Sequence, residues 1–234
     1  MQSKPTLYYL RKIDLASVLK ERQLMRGTCV QAIIELLHAE KSREDMTCVS
    51  TDFYSLIIEN KFTEAKKLLH PEEESRAGRS ASWDIPTNRI VASAQSRILL
   101  IPCHAANHWF LALRIKEKKG KQQVILIDSL GRKSGNSKMP KLRESLKRLN
   151  LITKKDRCTV LDTQTQTENE CGIRMVTYMV LFRSMDIQQL QDAQILQRLK
   201  GQVARERSFP ANLAAHRRTN IHRLLQHEQA KMKK

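Results

Sequence analysis

Cys171 stands where a polar, glutamine-rich loop, TQTQTENE (163–170), gives way to Cys-Gly and an apolar run at helical spacing. A thiol attacks only as thiolate, and an ordinary cysteine is only a few per cent ionised at neutral pH. A helix N-terminus presents unpaired N–H groups and roughly half a positive charge. A sulfur in that first turn ionises more easily. Asn169 and Glu170 are the cap candidates, and Gly172 removes bulk beside the sulfur, leaving room for a substrate backbone. The competing reading of any cysteine is a small buried hydrophobe. Cys29, Cys48, Cys103 and Cys158 lie inside apolar patterns and take that reading.

A thiolate needs a base, and the base needs an orienting acceptor. His108 opens HWFLALRI (108–115) and Asp128 closes QVILID (123–128). The charged turn KEKKGK (116–121) lies between them, so the two runs read as an antiparallel hairpin. Such a hairpin brings the start of the first run near the end of the second, and with it His108 near Asp128. Taken singly, each has a plainer reading, a strand-edge histidine and a turn aspartate before Ser129-Leu130-Gly131. His104 is the nearest competitor, but it falls in the loop PCHAAN with no strand to fix it. His38 lies in a helical pattern, His70 precedes a proline, and the three remaining histidines are in the basic C-terminal stretch.

The surrounding elements are helices, then strands, then helices. Val30, Ile33, Ile34 and Leu37 share one face of a helix. The segment from Thr51 to His70 reads as one helix, capped at Thr51 or Asp52, with Phe53, Leu56, Ile57, Leu68 and Leu69 inward and Pro71 beyond. The stretch 71–82 is a Gly- and Pro-punctuated loop. RILLIPC (97–103) has strand length. HWFLALRI alternates, with Trp109, Leu111, Leu113 and Ile115 on one side, and CTVLD (158–162) is a further strand. PKLRESLKRLNL follows the hairpin as a helix with Pro140 in its first turn and Leu142, Leu146 and Leu149 inward. A helix from about Cys171 to Arg183 carries the thiol. This order predicts an α+β fold with a mainly antiparallel central sheet.

HW, DSL, a glutamine and ECG, in that order, resemble the Ulp-type cysteine proteases. These process SUMO and other ubiquitin-like proteins and are kin to the adenovirus proteinase. The resemblance spans Leu15 to about Leu190. It implies a variant of the papain-like fold, with a helical subdomain over about 15–70 and a sheet-bearing catalytic subdomain over about 85–200. The protease domain would then occupy 1–208, and 209–234 would be a basic C-terminal helix or tail. His108 resembles the family's general base, Asp128 its orienter and Cys171 its nucleophile. The family's oxyanion-hole glutamine falls on Gln164 or Gln166. The usual Ulp offset lands on Thr165, and Gln164 has the adenovirus-type offset. Trp109 resembles the aromatic that lines the channel for a Gly-Gly tail, and a core tryptophan is its competing reading. The family's other channel tryptophan has no counterpart between Leu10 and Thr28, and Trp83 lies elsewhere. The resemblance implies no cofactor and no metal.

The chain has 234 residues, enough for one large domain. Its 42 Lys+Arg against 24 Asp+Glu leave a net charge of +18. Such a surface attracts acidic partners. Among ubiquitin-like modifiers it favours SUMO over ubiquitin. Five cysteines without CxxC pairs form neither a disulfide framework nor a zinc site and suit a reducing compartment. No apolar run reaches the roughly 18 residues of a membrane span, and no signal-peptide stretch opens the chain. The expectation is therefore an intracellular protein of cytoplasm or nucleus, without membrane contact. Two other peptidase-clan readings remain: a viral or mobile-element polyprotein protease, and acetyl transfer through the same thioester chemistry. A reading of another class is a basic nucleic-acid-binding protein with a decayed protease site. Arg132, Lys133, Lys138, Lys141, Arg143, Lys147 and Arg148 would supply its non-specific phosphate contacts.

Overall fold

The computed structural model describes residues 10–19, 25–40, 45–69, 94–117, 120–161, 170–183, 185, 192–207 and 212–232. Its centre is a five-stranded sheet. β1 is Met46–Cys48, β2 Ile98–Ala105, β3 His108–Lys116, β4 Gln122–Ile127 and β5 Arg157–Leu161, arranged in chain order. β2, β3 and β4 pair antiparallel, while β1 and β5 add to the two edges in parallel. The α+β reading and the antiparallel centre both hold. β1 lies within the third read as helical, and three residues are too few to show a period of two.

The helices are α1 (Lys12–Leu19), α2 (Gly27–Glu40), α3 (Asp52–Ile58), α4 (Phe62–Lys67), α5 (Arg132–Arg148), α6 (Cys171–Arg183), α7 (Asp192–Arg207) and α8 (Asn212–Met232). The sheet is buried on both faces, and the alternation along β3 decides which helices cover each. Trp109, Leu111, Leu113 and Ile115 face a core shared with α2, α6, α7 and α8. Phe110 and Ala112 face the other, shared with α3, α4 and α5. α8 is part of this body. Leu225 is in the core, Arg218 Nη1 donates to the Val18 carbonyl at 3.0 Å, and Gln229 Nε2 donates to the Leu10 carbonyl at 2.7 Å.

Two helices depart from expectation. The segment after Thr51 is two helices, because Asn60 turns left-handed at φ 63° and Lys61 N–H closes on the Leu56 carbonyl at 2.8 Å. Asparagine tolerates that conformation, and a 6→1 closure of this kind ends a helix. Thr51 makes no side-chain capping bond. The helix expected to start at Pro140 starts eight residues earlier, at Arg132, with Pro140 in its interior. Gly131, at φ 87°, makes the turn into it, a conformation that glycine adopts without strain.

Candidate active site

The two-residue turn between β2 and β3 sets the position of His108. Ala106 and Asn107 have φ of 48° and 58°, the double positive φ of a type I′ hairpin. β3 begins immediately after it, so His108 sits at the strand's first position, opposite Ala105. β4 ends at Ile127, paired with Leu111, and Asp128 follows as the chain turns. His108 Nε2 lies 2.7 Å from Asp128 Oδ1. The ring's other nitrogen is free of that bond, and His108 and Cys171 stand near enough for each to shift the other's titration. His104, by contrast, stacks its ring on Trp109, with centroids 4.5 Å apart.

Cys171 is the first residue of α6, and the Glu170 carbonyl accepts the Arg174 N–H at 2.9 Å. The Glu170 carboxylate pairs with Arg174. Cys171 is 1% exposed. Burial pushes its thiol up, but His108 and the Trp109 and Gly172 backbone N–H groups outweigh it, so the thiol ends below its ordinary value. For His108, burial disfavours the charged ring, but the bond to Asp128 and the nearby Cys171 prevail and raise it. For Asp128, burial disfavours the carboxylate, but His108, Lys138 and the Leu130 N–H bring it down to about 2. These opposed shifts favour a thiolate facing an imidazolium.

Asp128 is held by more than His108. Its Oδ1 also accepts the Leu130 N–H at 2.9 Å, and its Oδ2 accepts Ser134 Oγ at 3.0 Å and the Lys138 ammonium. Lys138 also lies over the Phe110 ring, 4.8 Å from its centroid, and Phe110 lies beside His108. Sequence reasoning missed Ser134 and Lys138. Both belong to the first half of α5, on one face at i and i+4, and Gly135 lets that half approach the sheet. A Cβ at Gly135 would stand 2.5 Å from Val160 Cγ1 and 2.9 Å from Leu126 Cδ2. The signal was Gly131 just past Asp-Ser-Leu, which opens a helix there.

The structure gives Gly172 surroundings different from those expected, and it places Trp109 in the interior. Trp109 is 2% exposed, and its indole N–H donates to the Met25 carbonyl at 2.8 Å. Its burial matches the core reading. A Cβ at Gly172 would lie 2.8 Å from Met25 Cβ and 3.3 Å from Trp109 Cδ1. The room left by the missing side chain is thus filled by Met25 and Trp109. Gln164, Gln166 and Thr165, the cap candidate Asn169, and Trp83 all lie outside the described residues.

The basic run 132–148 is partly committed within the fold. Lys138 pairs with Asp128, Arg143 donates to the Lys154 carbonyl, and Lys147 and Arg148 pair with Glu144. Among the described residues no cluster of three His, Cys, Asp or Glu could hold a metal ion, and no helix is long and apolar enough to cross a membrane.

No family model and no curated protein matches this sequence. Solved structures do match the fold. The crystal structure of a de-sumoylating protease superposes with a TM-score of 0.63 at 13% identity, over 95% of this chain and 87% of that one. The C-terminal Ulp1 protease domain in complex with Smt3, the yeast orthologue of SUMO, gives 0.56 at 14% identity, over 93% and 82%. The Xanthomonas campestris effector XopD bound to ubiquitin gives 0.52 at 13% identity, over 86% and 92%. The chain thus has the Ulp-type cysteine protease fold. The likeness reaches further along the chain than the stretch from Leu15 to Leu190 read from the motifs.

Proposed function

We propose that this protein is a cysteine peptidase that cleaves after the C-terminal Gly-Gly tail of SUMO or another ubiquitin-like modifier. One observation carries the reading: His108, whose Nε2 lies 2.7 Å from a buried carboxylate, also lowers the titration of a thiol in the first turn of a helix. That constellation activates a nucleophile in folds with no common ancestry. The similarity to proteases that appear in complex with Smt3 or ubiquitin supports the substrate class. The net charge of +18 supports an acidic modifier face.

In this reading the Cys171 thiolate attacks the carbonyl carbon of the terminal glycine. The tetrahedral oxyanion is met by the Cys171 backbone N–H, which has no intrahelical acceptor, and by the side-chain amide of Gln164 or Gln166. The His108 imidazolium protonates the leaving amine, and a thioester remains. Water, deprotonated by His108, then attacks the thioester and restores the thiol. Asp128 keeps the ring oriented and stabilises its charge throughout.

The test is covalent capture by vinyl-sulfone probes built on the SUMO and ubiquitin tails. Wild-type protein should be labelled at Cys171 by at least one, the SUMO probe faster, and Cys171→Ala by neither. A wild-type protein that neither probe labels would overturn the substrate class. If a small alkylating reagent also fails to modify Cys171 faster than a free thiol near pH 7, the nucleophile assignment fails with it.

A further inference from the structure

On the same face of β3 as Phe110, two further inward positions along, lies Arg114. It is six residues from His108, about 20 Å at the rise of a strand. Its side chain is 1% exposed. Nη2 donates to the Ala94 carbonyl at 2.8 Å, Nη1 reaches Gln122 Oε1 at 3.4 Å, and Nε is buried without an acceptor. Among the described residues no carboxylate pairs with it. Burial alone pulls its pKa down to about 10. A guanidinium removed from water without a counter-charge costs several kcal/mol, which is why buried charges are paired or bind ions.

Arg114 lines a cavity of about 360 Å³ between the far ends of β3 and β4 and the turn that closes α5. Lys66 from α4 and Lys116 from β3 line it too, with Gln95, Gln122 and Asn150. The Lys116 ammonium donates to Gln95 Oε1 at 2.9 Å. Neither lysine has a carboxylate partner among the described residues. Three cations and three side-chain amides surround the space, with no acid among the described residues at its wall. The peptidase chemistry uses none of these groups.

We infer that this cavity is an anion site that takes a phosphate group, with the Arg114 guanidinium as its buried anchor and Lys66 and Lys116 at its mouth. A phosphate dianion offers three acceptor oxygens and two charges. The guanidinium fork matches that geometry, and the lysines complete the charge. The cavity exceeds a lone phosphate in size and leaves room for a small organic substituent. The site stands independently of the peptidase reading, because it shares no residue with the triad.

Titration calorimetry on the full chain, at constant ionic strength, tests it with inorganic phosphate, glycerol 3-phosphate and acetate. Constant ionic strength holds the diffuse attraction of a +18 surface fixed. Wild type should bind a phosphate species saturably. Arg114→Met should weaken that binding about 10- to 100-fold, the loss expected for a buried charge-assisted hydrogen bond. Lys116→Gln and Lys66→Gln, both at the cavity mouth, should weaken it less. Tighter binding of glycerol 3-phosphate than of phosphate marks a phosphomonoester site, and the reverse marks free phosphate. Equal affinity in wild type, Arg114→Met and Lys116→Gln would overturn the site, as would no saturable binding to wild type. Acetate binding as tightly as either phosphate species would overturn the phosphate assignment. Should Arg114→Met fail to fold, unchanged binding in both lysine variants overturns it on the same terms.

Discussion

Asp128 and Arg114 are both buried charges on the β3–β4 hairpin, one at each end, and the chain treats them oppositely. Asp128 receives His108 Nε2, the Leu130 N–H, Ser134 Oγ and the Lys138 ammonium. Arg114 donates to one carbonyl and to one long amide contact, with no acid among the described residues. The difference comes from which helix end covers each position. At Asp128 the first half of α5 descends onto the sheet through Gly135 and delivers a hydroxyl and an ammonium. At Arg114 the turn closing α5 lies beside a cavity, and among the described residues neutral groups and cations line it. A buried charge that the fold needs constantly is satisfied from within the chain. A buried charge left bare is poised for a counter-ion from outside.

The largest test of that contrast is Asp128→Ala. It leaves the buried His108 ring and the half-buried Lys138 ammonium without their shared carboxylate, and breaking a buried pair of this kind costs about 3–5 kcal/mol. Urea unfolding near pH 7 should show that loss. The pH dependence gives an independent check. The Asp128 pKa is depressed to about 2 in the folded state. Its stabilisation is therefore present above the unfolded pKa of about 4 and lost as pH falls toward 2, a span of about 2–3 kcal/mol. Asp128→Ala should flatten that part of the acid limb. An unaltered acid limb would mean the carboxylate gains nothing from its donors.

Next in size is Lys138→Met, which keeps the apolar stem over Phe110 but removes the charge. One charge-assisted bond to a partly solvated ammonium is lost, about 2 kcal/mol. The readout specific to its placement is the pH profile of Cys171 alkylation by iodoacetamide. The lowered Cys171 thiol and the raised His108 ring draw the two titrations toward each other, the thiol setting the acid limb of the profile and the ring its alkaline limb. Without the Lys138 charge, Asp128 presents a stronger field to His108, so the alkaline limb should move up in pH. Lys138→Arg should restore the wild-type profile. A Met variant that loses stability with both limbs unmoved would reduce Lys138 to a packing role.

The sequence disclosed the pairing of His108 with Asp128 and missed its support for the same physical reason. His108 and Asp128 bracket two apolar runs whose hairpin pairing follows from a charged turn, and Cys171 marks the change from polar loop to helical period. Each is a local signal. Ser134 and Lys138 reach Asp128 only because α5 begins at Arg132, whereas Pro140 invites a start at itself through its preference for the first helical position. The tertiary contact of Gly135 with Val160 and Leu126 has no local period to reveal it. Read as a solvated basic run, Lys138 looked like a surface charge. Arg114 was hidden in the opposite way, as one charged residue on the second face of an alternating strand, a face the alternation left unassigned. The structure covers both faces. The break at Asn60 was missed because its inward leucines continue on either side of the left-handed turn.

The smallest expected effect is on stability at the other end of the hairpin. In phosphate-free buffer Arg114→Met should raise unfolding stability by about 1 kcal/mol, because an apolar stem of similar length replaces an unpaired buried charge. Saturating phosphate should reverse the order. A ligand that binds only the folded state stabilises by RT ln(1 + [L]/Kd), about 2.7 kcal/mol at a hundredfold excess over Kd. Wild type should gain that increment, and the methionine variant should not. The crossing of the two curves, read as urea midpoints against phosphate concentration at fixed ionic strength, is what distinguishes a bare charge awaiting an anion from one already satisfied. A methionine variant that is less stable without phosphate would show that the Ala94 carbonyl and Gln122 suffice for the guanidinium, and the contrast with Asp128 would vanish.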